Sequence, residues 1–222
     1  MQHISVRLLG IAVLLILGGC VTAPPKANFT QFRTENPRSI LVVPAINKSV
    51  DVNAPDYFLA TISEPLAERG YYVFPVNMVR SVLADDGLND ANLVHSGDPK
   101  RLGELFGADA IMYISIEKWE AKYVVLSTTV TVELNYTLKS SHTGAELWHN
   151  HQVVNYQPQA ASGGGVAGLI ADAISAAITK AVPNYIPLAQ QANAHAINTK
   201  GNGLPAGPHD ALPALQPAGP PA

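Results

Sequence analysis

The run "TTVTVELNYTLKS" (residues 128–140) constrains this chain more than any other stretch. Val130, Val132, Leu134, Tyr136 and Leu138 alternate with Thr129, Thr131, Glu133, Asn135 and Thr137. Successive side chains of a strand point to opposite faces, so the segment reads as a strand with one dry and one wet face. A helical period would scatter the same residues around a cylinder. The fold must therefore contain a sheet with something covering one side of it.

The neighbouring segments supply the rest of that sheet. "ADAIMYISIEKW" (residues 108–119) reads as the preceding strand. "AELWHNHQVVNYQ" (residues 145–157) follows the turn "SSHTG" and is expected to run antiparallel to the alternating strand. Upstream, "SILVVPAIN" (residues 39–47) is a continuous apolar run, the pattern of a strand buried on both faces. Phe58, Leu59, Ile62 and Leu66 then recur at helical spacing, and Gly70 is a natural C′ residue before the strand "YYVFPV" (residues 71–76). Residues 39–76 form a βαβ unit, whose two strands are parallel. Pro65 inside the helical pattern predicts a kink or restart near residues 61–63.

A short helix is expected over residues 77–84, stopped by "DDG". Asp98 before Pro99 opens another, with Gly107 after its end. Residues 166–182 carry one broad apolar stripe of Leu169, Ile170, Ala173, Ile174, Ala177, Ile178 and Ala181, and Pro183 ends it. A weaker helix covers residues 186–197. The expected fold is α/β, in two or three layers, with a mixed sheet of about five strands in the order β-α-β-α-α-β-β-β-α.

The chain has 222 residues, 47% hydrophobic, enough for one domain with a proper core, assigned to residues 38–199. Pro24, Pro25 and Pro37 punctuate an aperiodic polar stretch, so residues 20–37 read as a tether. About eighteen residues between anchor and first strand reach roughly 60 Å when fully extended and nearer 25 Å as a coil. Residues 200–222 are rich in Pro and Gly and are expected to be a disordered tail.

The N-terminus sets the address. Arg7 precedes the apolar run of residues 8–17, which is about half the length a spanning helix needs. Residues 1–19 read as a signal peptide. The only cysteine, Cys20, follows directly in "LGGC", which looks like a bacterial lipobox whose cysteine is acylated. An ordinary cysteine in a leader is the bland alternative, but charge, apolar length and small residues all agree in position. One acyl chain anchors marginally, whereas the three usual in bacterial lipoproteins hold permanently. Val21, not Asp, follows Cys20, which favours the outer membrane by the same resemblance.

Candidate chemistry is sparse. Formal charge is −3, and loss of Arg7 with the leader makes it −4, with no basic block to hold nucleic acid. "GGGVAG" (residues 163–168) matches G-x-G-x-x-G, but no acid follows at the spacing a ribose needs, so a hinge is the better reading and no cofactor is expected. His149 and His151 share a strand face and suit two metal ligands, with His142 as a third. No acid or cysteine joins them at a recognisable spacing, so polar residues on a wet face are favoured over a metal site. Asp85 with Asp86, and Glu64 with Glu68, read as ordinary solvated acids.

"PAINKSVDVNAPDYFLATISEPLAERGYYVFPV", "FGADAIMYISIEKW" and "TGAELW" resemble the signature segments of a family of Gram-negative lipoproteins of unknown function, typified by a meningococcal surface lipoprotein. The match runs from about Pro37 to Val182, and the tail after Gly201 looks idiosyncratic. The resemblance implies an α/β domain similar to the N-terminal domain of TolB and to CsgG-type lipoproteins. It implies partners among envelope lipoproteins, including a CsgG-like one, and no catalytic residues to carry over. The leading expectation is a non-catalytic component of an envelope assembly, of transport or secretion type. It is anchored to the outer membrane through Cys20 and faces the periplasm or the cell surface. The alternatives are a regulator reaching a periplasmic enzyme, as LpoB-type proteins do, and a metal-dependent hydrolase using His149 and His151. Homo-oligomerisation through residues 166–182 stays open.

Overall fold

The computed structural model describes residues 28–124, 127–156 and 185–210. In chain order the elements are α1 (Thr30–Glu35), β1 (Ser39–Val42), β2 (Ile46–Asn47), α2 (Ala54–Glu68), β3 (Tyr72–Val73) and α3 (Val76–Asp85). They continue with α4 (Ala91–Ser96), α5 (Pro99–Phe106), β4 (Ala110–Val124), β5 (Ser127–Ser140), β6 (Glu146–Tyr156) and α6 (Ile186–Asn198). The six strands form one mixed sheet in the order β3-β1-β4-β5-β6, with β2 also paired to β4. β1 runs parallel to β3 and β4, while β4–β5 and β5–β6 are antiparallel.

The alternation in β5 does what the sequence requires of it. Val130, Val132, Leu134, Tyr136 and Leu138 are all buried in the main core, beneath α2 and α6. β1 is buried on both faces: Ile40 and Val42 join that core, and Leu41, with Val43 just after the strand, joins a second one. The second core is closed by Val79 and Leu83 of α3, Val94 of α4 and Leu102 of α5. The molecule is thus three layers thick over β1 and β4. Beyond β4, the second face of β5 and β6 carries polar side chains. This reconciles the two layer counts.

Local signals explain the helix ends. Asp98 Oδ1 accepts from Lys100 N at 3.0 Å, Pro99 occupies the first turn, and Gly107 closes α5 at φ 71°. Gly70 follows α2 at φ 87°, where a side chain would also strike the backbone of Asp210. α2 is one continuous helix through Pro65, with no restart at residues 61–63. Pro65 is buried. α1 and α4 are additional to the expected order; six residues each, they are too short to show a period.

Two segments expected to be loose are packed. Residues 28–37 do not belong to a free tether: Phe32 is buried in the main core and Glu35 accepts from Ser140 Oγ at 3.0 Å and Thr143 Oγ1 at 2.9 Å. The tail expectation is likewise corrected for residues 200–210. Leu204 is fully buried, and its carbonyl accepts from Arg69 Nε at 2.9 Å. Pro205 O accepts from Tyr71 Oη at 2.6 Å, Asn202 O accepts from Trp148 Nε1 at 3.0 Å, and Gly207 N donates to Arg69 O at 2.8 Å. This strap runs from β6 to the loop before β3 and satisfies donors that would otherwise be stranded. The signal peptide and tether expected over residues 1–27, "GGGVAG", the helix expected over residues 166–182 and residues 211–222 lie outside the described residues.

Inside the main core, Tyr136 Oη donates to Asn193 Oδ1 at 2.6 Å. Asn193 Nδ2 donates to Thr61 Oγ1 at 2.9 Å, whose hydroxyl donates to Phe58 O at 2.7 Å. Asn193 is fully buried, so its replacement strands the Tyr136 hydroxyl and removes the donor to Thr61 Oγ1. Asn193→Ala is expected to cost about 2–3 kcal/mol in urea unfolding. Deleting residues 201–222 removes the Leu204 contact and the strap's carbonyl acceptors, and is expected to cost about 2–4 kcal/mol by the same measurement.

Candidate interaction surface

The polar face of β4, β5 and β6 is where the sequence's candidate side chains meet. It depends on one irregularity in β4. The register shifts between Ile116 and Lys118, so Glu117 is an extra residue opposite β5. The bulge keeps Ile116 and then Trp119 in the core, and sets Lys118 directly across from Glu133.

Glu133 is the centre of one cluster. Its Oε2 is in contact with Lys118 Nζ, and its Oε1 accepts from His151 Nε2 at 3.1 Å. The hydrogen bond from the Lys118 ammonium holds the Glu133 carboxyl below its ordinary range, and raises the Lys118 ammonium in return. Glu117 is the centre of a second. Its Oε1 accepts from Lys48 Nζ at 2.8 Å, Ser115 Oγ at 2.8 Å and Asn135 Nδ2 at 2.9 Å. Lys48 is the main reason the Glu117 carboxyl is held low.

The histidines share the wet face as expected, but each has its own acid. His149 Nδ1 donates to Glu146 Oε1 at 2.7 Å, whereas His151 turns to Glu133. His142 sits on the β5–β6 turn, with Nε2 3.8 Å from Asp109 Oδ1. The third ligand expected of His142 therefore does not join the other two. Among the described residues, no three His, Cys, Asp or Glu side chains are grouped to hold a metal ion. What the surface can do chemically is recognise a polar partner: its charges are compensated pairwise at fixed positions.

Asp109 organises the start of the two central strands. Its Oδ2 accepts from Arg38 N at 2.9 Å, Ser39 N at 3.0 Å and Ser39 Oγ at 3.1 Å. Partial burial disfavours the carboxylate, but these donors outweigh it and hold its pKa below the ordinary value. Beside it, Ser141 Oγ donates to Asp109 O at 2.9 Å, and a Cβ on Gly103 would overlap Ser141. Periodicity marked none of these residues, because every partner is contributed by another element. The weak local signal was Gly103, a glycine inside a helix.

Along the outer edge of β6 lies an open groove of about 660 Å³, lined by Asn28, Phe29, Trp148, Asn150, Gln152 and Asn202 among others. The chain enters the described domain at this groove. Cys20, the expected lipid-attachment residue, lies outside the described residues. No helix among them is long and apolar enough to cross a membrane.

With this geometry in view, residues 27–209 match the family model described as "Putative lipoprotein GNA1162-like". The chain belongs to the GNA1162-like lipoprotein family. It is 35% identical over 174 residues to a lipoprotein of Neisseria meningitidis serogroup B, covering 78% of this chain and 79% of that protein. The crystal structure of lipoprotein GNA1162 from Neisseria meningitidis superposes with a TM-score of 0.54 at 36% identity, covering 63% of this chain and 94% of that one. The C-terminal domain of LpoB from Escherichia coli is 18% identical with a TM-score of 0.38, over 54% of this chain and 84% of that one, too distant to carry a conclusion. The family match extends beyond both ends of the span assigned from resemblance, and takes in α1 and nearly all of the strap.

The lowered Asp109 pKa has a definite pH signature. Stability from a depressed carboxylate is present above its unfolded pKa of about 4 and is lost as pH falls through the folded value. Asp109→Asn is therefore expected to unfold at lower urea concentration than the parent at pH 7. The gap should close as both are titrated toward pH 3.

Proposed function

We propose that this lipoprotein is a non-catalytic interaction component of an outer-membrane envelope assembly, attached through acylated Cys20. The observation that carries the reading is membership of a lipoprotein family in a chain whose single cysteine ends "LGGC". Val21 after that cysteine supports the outer membrane as the destination. The paired charges around Glu133 and Glu117 support a recognition role, since their side chains are held in fixed geometry by each other. Other envelope lipoproteins, a CsgG-like one among them, are the partners that the resemblance suggests.

Two measurements test this. Cys20→Ser is expected to abolish fatty-acid labelling and to move the protein from the membrane to the soluble fraction; retained labelling defeats the anchor. Crosslinking in cells from a photoreactive residue at Asn135 or Lys118 should capture a defined envelope protein. Capture of none, with the protein folded and membrane-bound, defeats the assembly role.

A further inference from the structure

The docking of α1 changes what the lipid anchor can do. An eighteen-residue tether would let the domain tumble freely, because a reach of roughly 60 Å exceeds the width of a domain of this size. The chain is instead held from Phe29 onward. Phe32 is 4% exposed and meets Phe29 edge-on at 6.5 Å, Glu35 is bonded to the β5–β6 turn, and Arg38 N donates to Asp109. Eight residue steps separate Cys20 from Asn28, a contour length of at most about 27 Å and a relaxed span near 16 Å. About 150 folded residues have a radius of gyration near 15 Å, hence a width of about 38 Å. The pole opposite Asn28 cannot reach the surface to which Cys20 is fixed.

We propose that α1 is an orienting strap: it brings the chain out at the β6 edge, so that this edge faces the bilayer and the β3–α3 side faces away. Two features place the two sides. Asn28 and Phe29 line the groove along β6 together with Asn202. β3 is four strands away in the sheet, about 19 Å at the usual strand spacing. The outward side carries Tyr72 at 56% exposure and Met78 at 62%, apolar side chains presented away from the lipid. The bilayer is the occupant of the β6 side by proximity alone; the groove's lining is largely polar, and it lies against the headgroups without inserting. This inference rests on Cys20 being the anchor.

The mature chain offers no competing thiol once Cys20 is acylated, which makes single-cysteine labelling clean. The acylated full-length protein, carrying a fluorophore at His149→Cys or at Met78→Cys, is incorporated into phosphatidylethanolamine–phosphatidylglycerol vesicles with a headgroup-attached quencher. Flotation is scored first. Quenching at position 149 is expected to exceed that at position 78 about twofold or more, given a domain about 38 Å wide. A Gly/Ser insertion of eighteen residues between Ala27 and Asn28 should abolish the difference. Equal quenching in a floating, native-length protein overturns the orientation, and a difference that survives the insertion overturns the tether as its cause. Protein that does not float removes the anchor, and the orientation with it.

Discussion

Three side chains withdrawn from water decide how the helices sit on this sheet. Tyr136 of β5, Asn193 of α6 and Thr61 of α2 form one continuous chain of hydrogen bonds, each of them 4% exposed or less. Burial alone drives the Tyr136 phenol well above its ordinary pKa, so it stays a donor at any physiological pH. The core-facing stripe of α6 includes Ala189, Ala192 and Ala196. Alanines allow close approach but present a smooth surface that specifies register weakly. A buried carboxamide with one good position supplies the missing specification, because sliding α6 along the sheet would strand it. The end of α6 then delivers the strap, whose Asn202 O accepts from Trp148 Nε1.

The sheet itself is two designs joined at β4. Its parallel half, β3-β1-β4, is covered by helices on both faces, as parallel strands require. Its antiparallel half needs a cover on one face only, and the other is left polar. The bulge at Glu117 lies at the seam. Without the bulge, regular alternation through Glu117 would put every later side chain of β4 on the other face, placing Trp119 on the wet side and Lys118 in the core. With it, Lys118 faces Glu133 and the wet face is electrically balanced.

This division explains what could be read from the chain. The alternation of β5, the doubly buried β1 and the Asp98–Pro99 and Gly107 helix limits are local signals, and each survives in the structure. α1 has one buried residue in six, Phe32, and owes its position to Ser140 and Thr143, more than a hundred residues away. The strap has no period, and its bonds run through backbone carbonyls that any sequence possesses. The shared face of His149 and His151 followed from strand parity. Their acids did not, since Glu133 meets His151 only through the β5–β6 register, and Glu146, three residues before His149, reaches it across the register shift in β6.

The edges of the sheet are unequal for a physical reason. A strand edge presents unpaired amides and carbonyls and invites another chain. β3, two residues long, offers little to pair with. β6 is eleven residues long, and so the more exposed liability. The start of the described chain and the first residues after α6 meet there: Asn28 and Phe29 from one side, Asn202 from the other, all lining the groove beside it. Asn202 O is committed to Trp148 Nε1 and to Asn150 Nδ2 at 3.3 Å, so the strap is bonded to β6 side chains and leaves the strand's backbone to β5. The longer edge is thus the one flanked by the chain's entry at Asn28 and by the segment that follows α6. Exposed apolar residues such as Tyr72 and Met78 sit on the opposite side, where a short strand makes uncontrolled pairing costless to leave open.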